Sequence, residues 1–398
     1  FSMTNINWNN ISQATKAVWA GEEETFFEGA AQVPIVNSVS YSHDDVDEWY
    51  EVATGKRKGH IYSRNTNPPV AVFEEKMRVL EDAEAATSFS SGMAAIINIL
   101  FTLLSPGQRV VSVKDTYGGT SVVFLEHLPR FNINVTMCET HDQDAIEAET
   151  LKGCDILYLE TPTNPTMKVL DLKRLIAAGK KVGAIIVVDN TFATPINQNP
   201  LALGADLVVH SATKFIGGHS DALGGVVCGR ADLVKQIYSF REINGATLDA
   251  NSAYLLLRGL KTLDIRIAKQ NENAMALAEF LSQHDKVDKV FYPGLINDPG
   301  HDIAKGQMKG FTGMLSFSLK GGFDSVRNFL PQIRFAHRAA HLGGVETIVG
   351  PPRTASHVEL TEKQCQDLGI PETLLRCSVG IEAIDDIIAD FDQALADI

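Results

Sequence analysis

The chain has 398 residues, 44% of them hydrophobic and 21% charged, which is enough for two or three globular domains around a large core. Its formal net charge of −14 argues against a nucleic-acid binder, which needs a basic footprint, and against an anionic membrane surface. Five cysteines at 138, 154, 228, 365 and 377 include no CxxC pair, so neither a zinc cluster nor a disulfide framework is expected, and no metal site is assigned.

Residues 1–60 are polar, with Asn5, Asn7, Asn9 and Asn10 early and a Glu run at 22–24. They read as an arm with little core of its own. No basic-then-apolar leader and no apolar run of 18 residues is present, so a cytoplasmic protein without a membrane helix is expected. Pro69 to Glu84 reads as a helix, and Ser91 to Leu104, opening after Ser90-Ser91-Gly92, as another. Short apolar runs then predict strands at 109–113, 155–159, 184–188, 207–209 and 225–227. Strands of this kind separated by helices mean a mostly parallel sheet buried on both faces. Helices follow at 253–260 and 267–281, strands at 290–292 and 314–317, and a last helix at 384–395. The division expected is an arm over 1–62, a large domain over 63–255 and a C-terminal domain over 256–398.

The polar residues of interest follow strands or open helices, where open parallel sheets bind ligands. Asp189 closes one strand. Ser211-Ala212-Thr213-Lys214 follows another. The helix beginning at Gly92 and Met93 offers free backbone N–H groups to an anion. A lysine amine and a carboxylate are the two groups that pyridoxal-phosphate (PLP) chemistry requires, one for the Schiff base and one for the pyridine nitrogen. The spacing of Asp189 and Lys214 alone does not decide this, because both residue types are common at strand ends.

The longer string from Asp206 to Ser220, with Ser211-Ala212-Thr213-Lys214-Phe215-Ile216-Gly217-Gly218 at its centre, resembles the signature of the Cys/Met-metabolism PLP enzymes. So do six further blocks in order: Tyr62-Ser63-Arg64-Asn65-Thr66-Asn67-Pro68, Ser90 to Ala95, Asp115 to Thr120, Glu160-Thr161-Pro162-Thr163-Asn164-Pro165, Asp189-Asn190-Thr191 and Leu375 to Gly380. The resemblance implies an α/β fold of the aspartate-aminotransferase type (fold type I), with a large PLP domain and a smaller α/β C-terminal domain. It implies Lys214 as Schiff-base lysine and proton shuttle, and Asp189 as partner of the ring nitrogen. Gly92, Met93, Ser211 and Thr213 would hold the phosphate. Tyr117 would stack on the ring and take part in proton transfer. Asn164 would touch the ring oxygen or the substrate carboxylate, and Arg376 would hold that carboxylate. Tyr62 and Arg64 would reach the phosphate of a neighbouring subunit, in a homotetramer built from dimers that share active sites.

The chain departs from the family's subgroups where the far end of the substrate would lie. Cystathionine γ-synthases and γ-lyases often carry Arg five residues after the stacking Tyr; here that residue is Val122. Their Glu-Ser pair before the Gly-Gly-x-Glu segment is Ala340-His341 here. The Cys usual in methionine γ-lyases is Gly119. The resemblance implies γ-replacement or γ-elimination on an activated homoserine or related γ-substituted amino acid. The alternative is a lyase of a thioether amino acid, or of a γ-oxygen-linked one such as canavanine. His341 is expected to meet the substrate and to hydrogen-bond or protonate the leaving group near neutral pH.

Overall fold

Short β-branched runs make the frame of the computed structural model, which describes residues 6–22, 26–355, 362–396 and 398. Asn5, Glu23 and Glu24 of the polar opening lie outside the described residues. Seven strands form the large sheet: β1 (Ala85–Phe89), β2 (Arg109–Val113), β3 (Asn134–Cys138), β4 (Ile156–Glu160), β5 (Ile185–Asp189), β6 (Leu207–Ser211) and β7 (Gly225–Gly229). Their order is β1-β7-β6-β5-β4-β2-β3. The run from β6 to β3 is parallel throughout, and β7 alone lies antiparallel to both its neighbours.

The period of two along each strand sends alternate residues to opposite faces. Val187, Tyr158 and Val209 join one core with Ile96, Ile99 and Leu100 of the helix Gly92–Leu103. Ile186, Val188 and Leu157 join the other, under Leu175 and Ile176 of the helix Leu172–Lys181. Each fully buried Leu, Ile or Val of these layers contributes roughly 1.5–3 kcal/mol.

Four antiparallel strands form a second sheet in the order β10-β11-β9-β8: β8 (Val287–Phe291), β9 (Met314–Leu319), β10 (Ile348–Gly350) and β11 (Leu374–Ser378). Phe317, Phe329 and Phe391 meet edge to face or tilted in its core. The helix Leu263–Gln283 links the two bodies. Its Leu263 and Ile267 sit in the core of the first, and its Leu277 and Leu281 in that of the second. The arm is tied down by a buried charge: Lys76 donates to Ala17 O at 3.1 Å, Val18 O at 2.8 Å and Glu22 Oε1 at 2.9 Å.

The helix expected over 69–84 runs Pro68–Leu80 and stops where Asp82 turns left-handed at φ 55°. Strands β1, β3, β10 and β11 were not expected. β1 reads Ala-Ala-Thr-Ser-Phe, too small and polar to show an apolar run, and takes its place by pairing with β7. No helix among the described residues is long and apolar enough to cross a membrane.

Candidate active site

The carboxyl ends of β4, β5 and β6 carry Glu160, Asp189 and Ser211 side by side. Asp189 is buried. Its Oδ1 accepts from Thr191 N at 3.1 Å and Thr191 Oγ1 at 2.6 Å, and its Oδ2 faces Tyr158 OH at 3.4 Å. Burial raises its pKa, and the Thr191 bonds pull against that rise. No lysine or arginine among the described residues pairs with it within ion-pair distance, so the pocket floor has a carboxylate that lacks a cation. Glu160 stands beside it in register, and its Oε2 accepts from Tyr117 N at 2.8 Å. Burial and the Asp189 charge push the Glu160 pKa well above the ordinary carboxylate range.

Across the cleft the helix Gly92–Leu103 begins. Ser91 caps it by accepting from Ala94 N at 3.1 Å, which leaves the Gly92 and Met93 N–H groups without helical partners. A Cβ on Gly92 would stand 2.7 Å from Ser211 Cβ, so glycine is what lets the helix start and the end of β6 face one small anion. Thr213 is held by Gly224, donating to its O at 3.2 Å and accepting from its N at 3.1 Å.

Lys214 projects into the same cleft of about 240 Å³. Burial first, and the Arg376 charge second, push its amine down to about 8. Its Nζ lies 3.3 Å from His341 Nδ1. Arg376 on β11 donates from Nη1 to Asn164 Oδ1 at 3.0 Å and from Nη2 to the His341 carbonyl at 3.4 Å. It is buried without a carboxylate, and that burial lowers its pKa to about 10. The cleft therefore presents a buried guanidinium, still charged at neutral pH, opposite the amine. Gly343 lets the 340–345 segment pass close by: its φ is +82°, and a Cβ there would meet Phe215 N at 2.5 Å.

Ten of the expected residues meet here: Lys214, Asp189, Tyr117, Gly92, Met93, Asn164, Ser211, Thr213, Arg376 and His341. Tyr62 and Arg64 do not. They stack on each other at 5.0 Å in the N-terminal segment and line no part of their own chain's cleft. Of the two roles expected of His341, hydrogen-bonding or protonating a leaving group, the surroundings favour the first: burial, with Lys214 and Arg376 beside it, pushes its imidazole down to about 4. Glu160, Thr191 and Arg266 are the residues that the sequence reading missed. The first two sit inside blocks already noted, one after Leu159 and one after Asn190. Arg266 had no motif to mark it.

An uncompensated carboxylate, a cradle of free N–H groups narrowed by glycine, and a depressed lysine amine in one cleft fit PLP: ring nitrogen, phosphate and aldehyde have one partner each. The comparisons agree. A family model described as Cys/Met metabolism PLP-dependent enzyme matches residues 14–396. The L-methionine gamma-lyase of Fusobacterium nucleatum subsp. polymorphum is 40% identical over 384 residues, 96% of this chain and 97% of the relative. The cystathionine gamma-synthase of Mycobacterium leprae is 39% identical over 383 residues, 96% of each chain. The crystal structure of cystathionine gamma synthase from Xanthomonas oryzae pv. oryzae in complex with cystathionine superposes with a TM-score of 0.91 at 39% identity, covering 97% of this chain and 98% of that one. The chain is thus a PLP-dependent enzyme and belongs to the Cys/Met-metabolism family, the lyases and transferases of trans-sulfuration.

Proposed function

We propose that this enzyme performs γ-replacement, or γ-elimination where no nucleophile is present, on an activated homoserine or a related γ-substituted amino acid. The observation that carries the reading is the pairing of Arg376, buried and without a carboxylate, with Lys214, whose amine is pushed down to about 8. One group suits an α-carboxylate and the other an α-proton.

PLP, when bound, supplies an electron sink for the pair left at the substrate's α-carbon. Asp189 would keep the ring nitrogen protonated, and Gly92, Met93, Ser211 and Thr213 would hold the phosphate. Arg376 orients the substrate through its carboxylate, with Asn164 fixing the guanidinium. Lys214 Nζ, an amine whose pKa of about 8 brings deprotonation within reach near neutral pH, takes the α-proton and moves it between neighbouring carbons. His341 Nδ1, neutral and 3.3 Å away, accepts from that amine and steers it. Tyr117 is half exposed at the mouth, where its ring can cover the cofactor. Val122 and Ala340 supply no charge for a second carboxylate, which favours a smaller γ-substituent than that of cystathionine.

Tyr62 and Arg64 are proposed to serve the phosphate of another copy, in a tetramer of dimers that share active sites. Their distance from their own cleft supports this. Five free cysteines support a cytoplasmic location. The division into arm, cofactor domain and C-terminal domain is proposed with the handover along the helix Leu263–Gln283 rather than at 255, a residue inside the helix Ala250–Leu260 of the first core. The test of function is a panel of O-acylated homoserines, cystathionine, methionine and canavanine, assayed for 2-oxo acid and for addition products with and without thiols. Turnover of an O-acylhomoserine above cystathionine is expected. Inertness of every γ-substituted substrate would sink the reading.

A further inference from the structure

A second cavity of about 280 Å³ adjoins the reaction cleft, and the two share Ala340 and Ala355 in their walls. Its floor is apolar, made by Phe323, Val326, Leu330, Val349 and Pro351. Its rim is basic. Arg327 stacks on the Phe323 ring at 5.1 Å and pairs with Asp324 at 2.7 Å. Arg353 stacks on the same ring at 4.5 Å and reaches Glu372 at 3.6 Å. Arg338 differs from both. Its one bond goes to the Leu330 carbonyl at 3.4 Å, and no carboxylate among the described residues neutralises it.

We propose that this cavity is the subsite for the incoming co-substrate, a thiol acid with an apolar body whose carboxylate pairs with Arg338 and whose sulfur reaches the cleft past Ala340. The new S–Cγ bond replaces the Cγ–O bond of the O-acylhomoserine, and the acyl group leaves as a carboxylic acid with the thiol's proton. The inference rests on the γ-replacement reading above and names the class of nucleophile it takes. Three features point to that class. The floor is apolar, and the hydroxyl in the lining, Thr354 Oγ1, is already engaged with Pro351 O at 3.0 Å. The Arg338 guanidinium, with no carboxylate beside it among the described residues, is available to bind a carboxylate through two parallel N–H bonds. The cleft and this cavity share Ala340 and Ala355 in their walls, two of the smallest side chains, which puts the cavities next to each other. The missing charges at Val122 and Ala340 fit this arrangement, because the second carboxylate is received in the adjoining cavity and not in the cleft.

The test uses hexanoate and its neutral analogue hexanamide as probes of the PLP-loaded enzyme, titrated by ligand-observed NMR. Wild type should bind hexanoate at least tenfold more tightly than hexanamide. Arg338→Gln should bring the two within about threefold, and Arg338→Lys should keep part of the preference. The Arg338 side chain is exposed, and the visible cofactor band checks that each variant is folded and loaded. Equal binding of acid and amide by wild type overturns the proposal. So does a preference that survives undiminished in Arg338→Gln, which would place the acid on Arg376 alone. Failure of the γ-replacement reading shows separately, as absence of turnover in the substrate panel, and leaves these titrations to decide the cavity.

Discussion

Replacing Arg266 by methionine should loosen the loop that carries the reactive lysine. Arg266 comes from the helix Leu263–Gln283 and is buried against the far side of that loop. It donates to Phe215 O at 2.8 Å, Ile216 O at 3.4 Å and Gly259 O at 2.8 Å. Burial lowers its pKa to about 10, so it stays charged at neutral pH. That lowering corresponds to a burial penalty on the order of 3 kcal/mol, which methionine would relieve. Against this, two short charge-assisted bonds contribute about 1.5–3 kcal/mol each, and their carbonyls would be left buried and unpaired. The terms largely offset, so global stability should fall by no more than about 3 kcal/mol. The local effect is larger, because both lost partners at Phe215 and Gly259 face the loop. The Gly217 and Gly218 amides, bonded to Ala212 O and Lys214 O, should exchange with deuterium at least tenfold faster, and PLP should be released more readily. Unchanged exchange at both amides, with cofactor affinity within twofold of wild type, would refute the claim that Arg266 positions this loop.

Lys214→Ala should abolish turnover and the visible band of bound cofactor; an active, coloured variant ends the PLP assignment of this residue. Asp189→Asn should fold normally and lose several powers of ten in rate, since the amide cannot hold a ring proton by charge; an unimpaired rate rejects that role. Gly119→Cys should disturb the mouth of the cleft, because a Cβ there stands 2.9 Å from the Tyr117 ring and 3.1 Å from Met93 Sδ, and an undisturbed cofactor circular-dichroism signal would contradict it. His341 makes a pH prediction for the cofactor-free protein. Its pKa of about 4 lies below the unfolded value near 6.5, so between the two the unfolded chain binds the extra proton. Stability is therefore lost as pH falls through that window, and His341→Asn should remove part of the loss; denaturant midpoints measured at pH 4.5 and 7 check the sign.

The sequence made much of the large sheet legible because β2, β4, β5, β6 and β7 carry short, mostly apolar runs. β3 and β11 mix polar residues into the strand, and β10 has only three residues, so none rises above its flanks. The site residues were readable because each sits in a block next to a strand end or helix start. What stayed hidden depends on contacts across long stretches of chain. The 3.3 Å approach of His341 to Lys214 spans 127 positions, and the Arg266 clamp exists only once the start of the linking helix docks on the loop. His341 also shows how burial can select a role. Its residue type allowed hydrogen-bonding or proton donation, and its surroundings favour the first.

The two walls of the cleft come from different halves of the chain. Asp189, Ser211 and Lys214 belong to the large sheet and its loops, whereas His341 and Arg376 belong to the C-terminal body, as do Ala340 and Ala355. This separates two kinds of evolutionary change. Substitutions in the last third of the chain can retune which molecules are accepted while leaving the parts that capture the coenzyme untouched. A lineage could then acquire a new metabolic assignment by editing a few positions around 338–341, where this chain reads Arg338-Ala339-Ala340-His341.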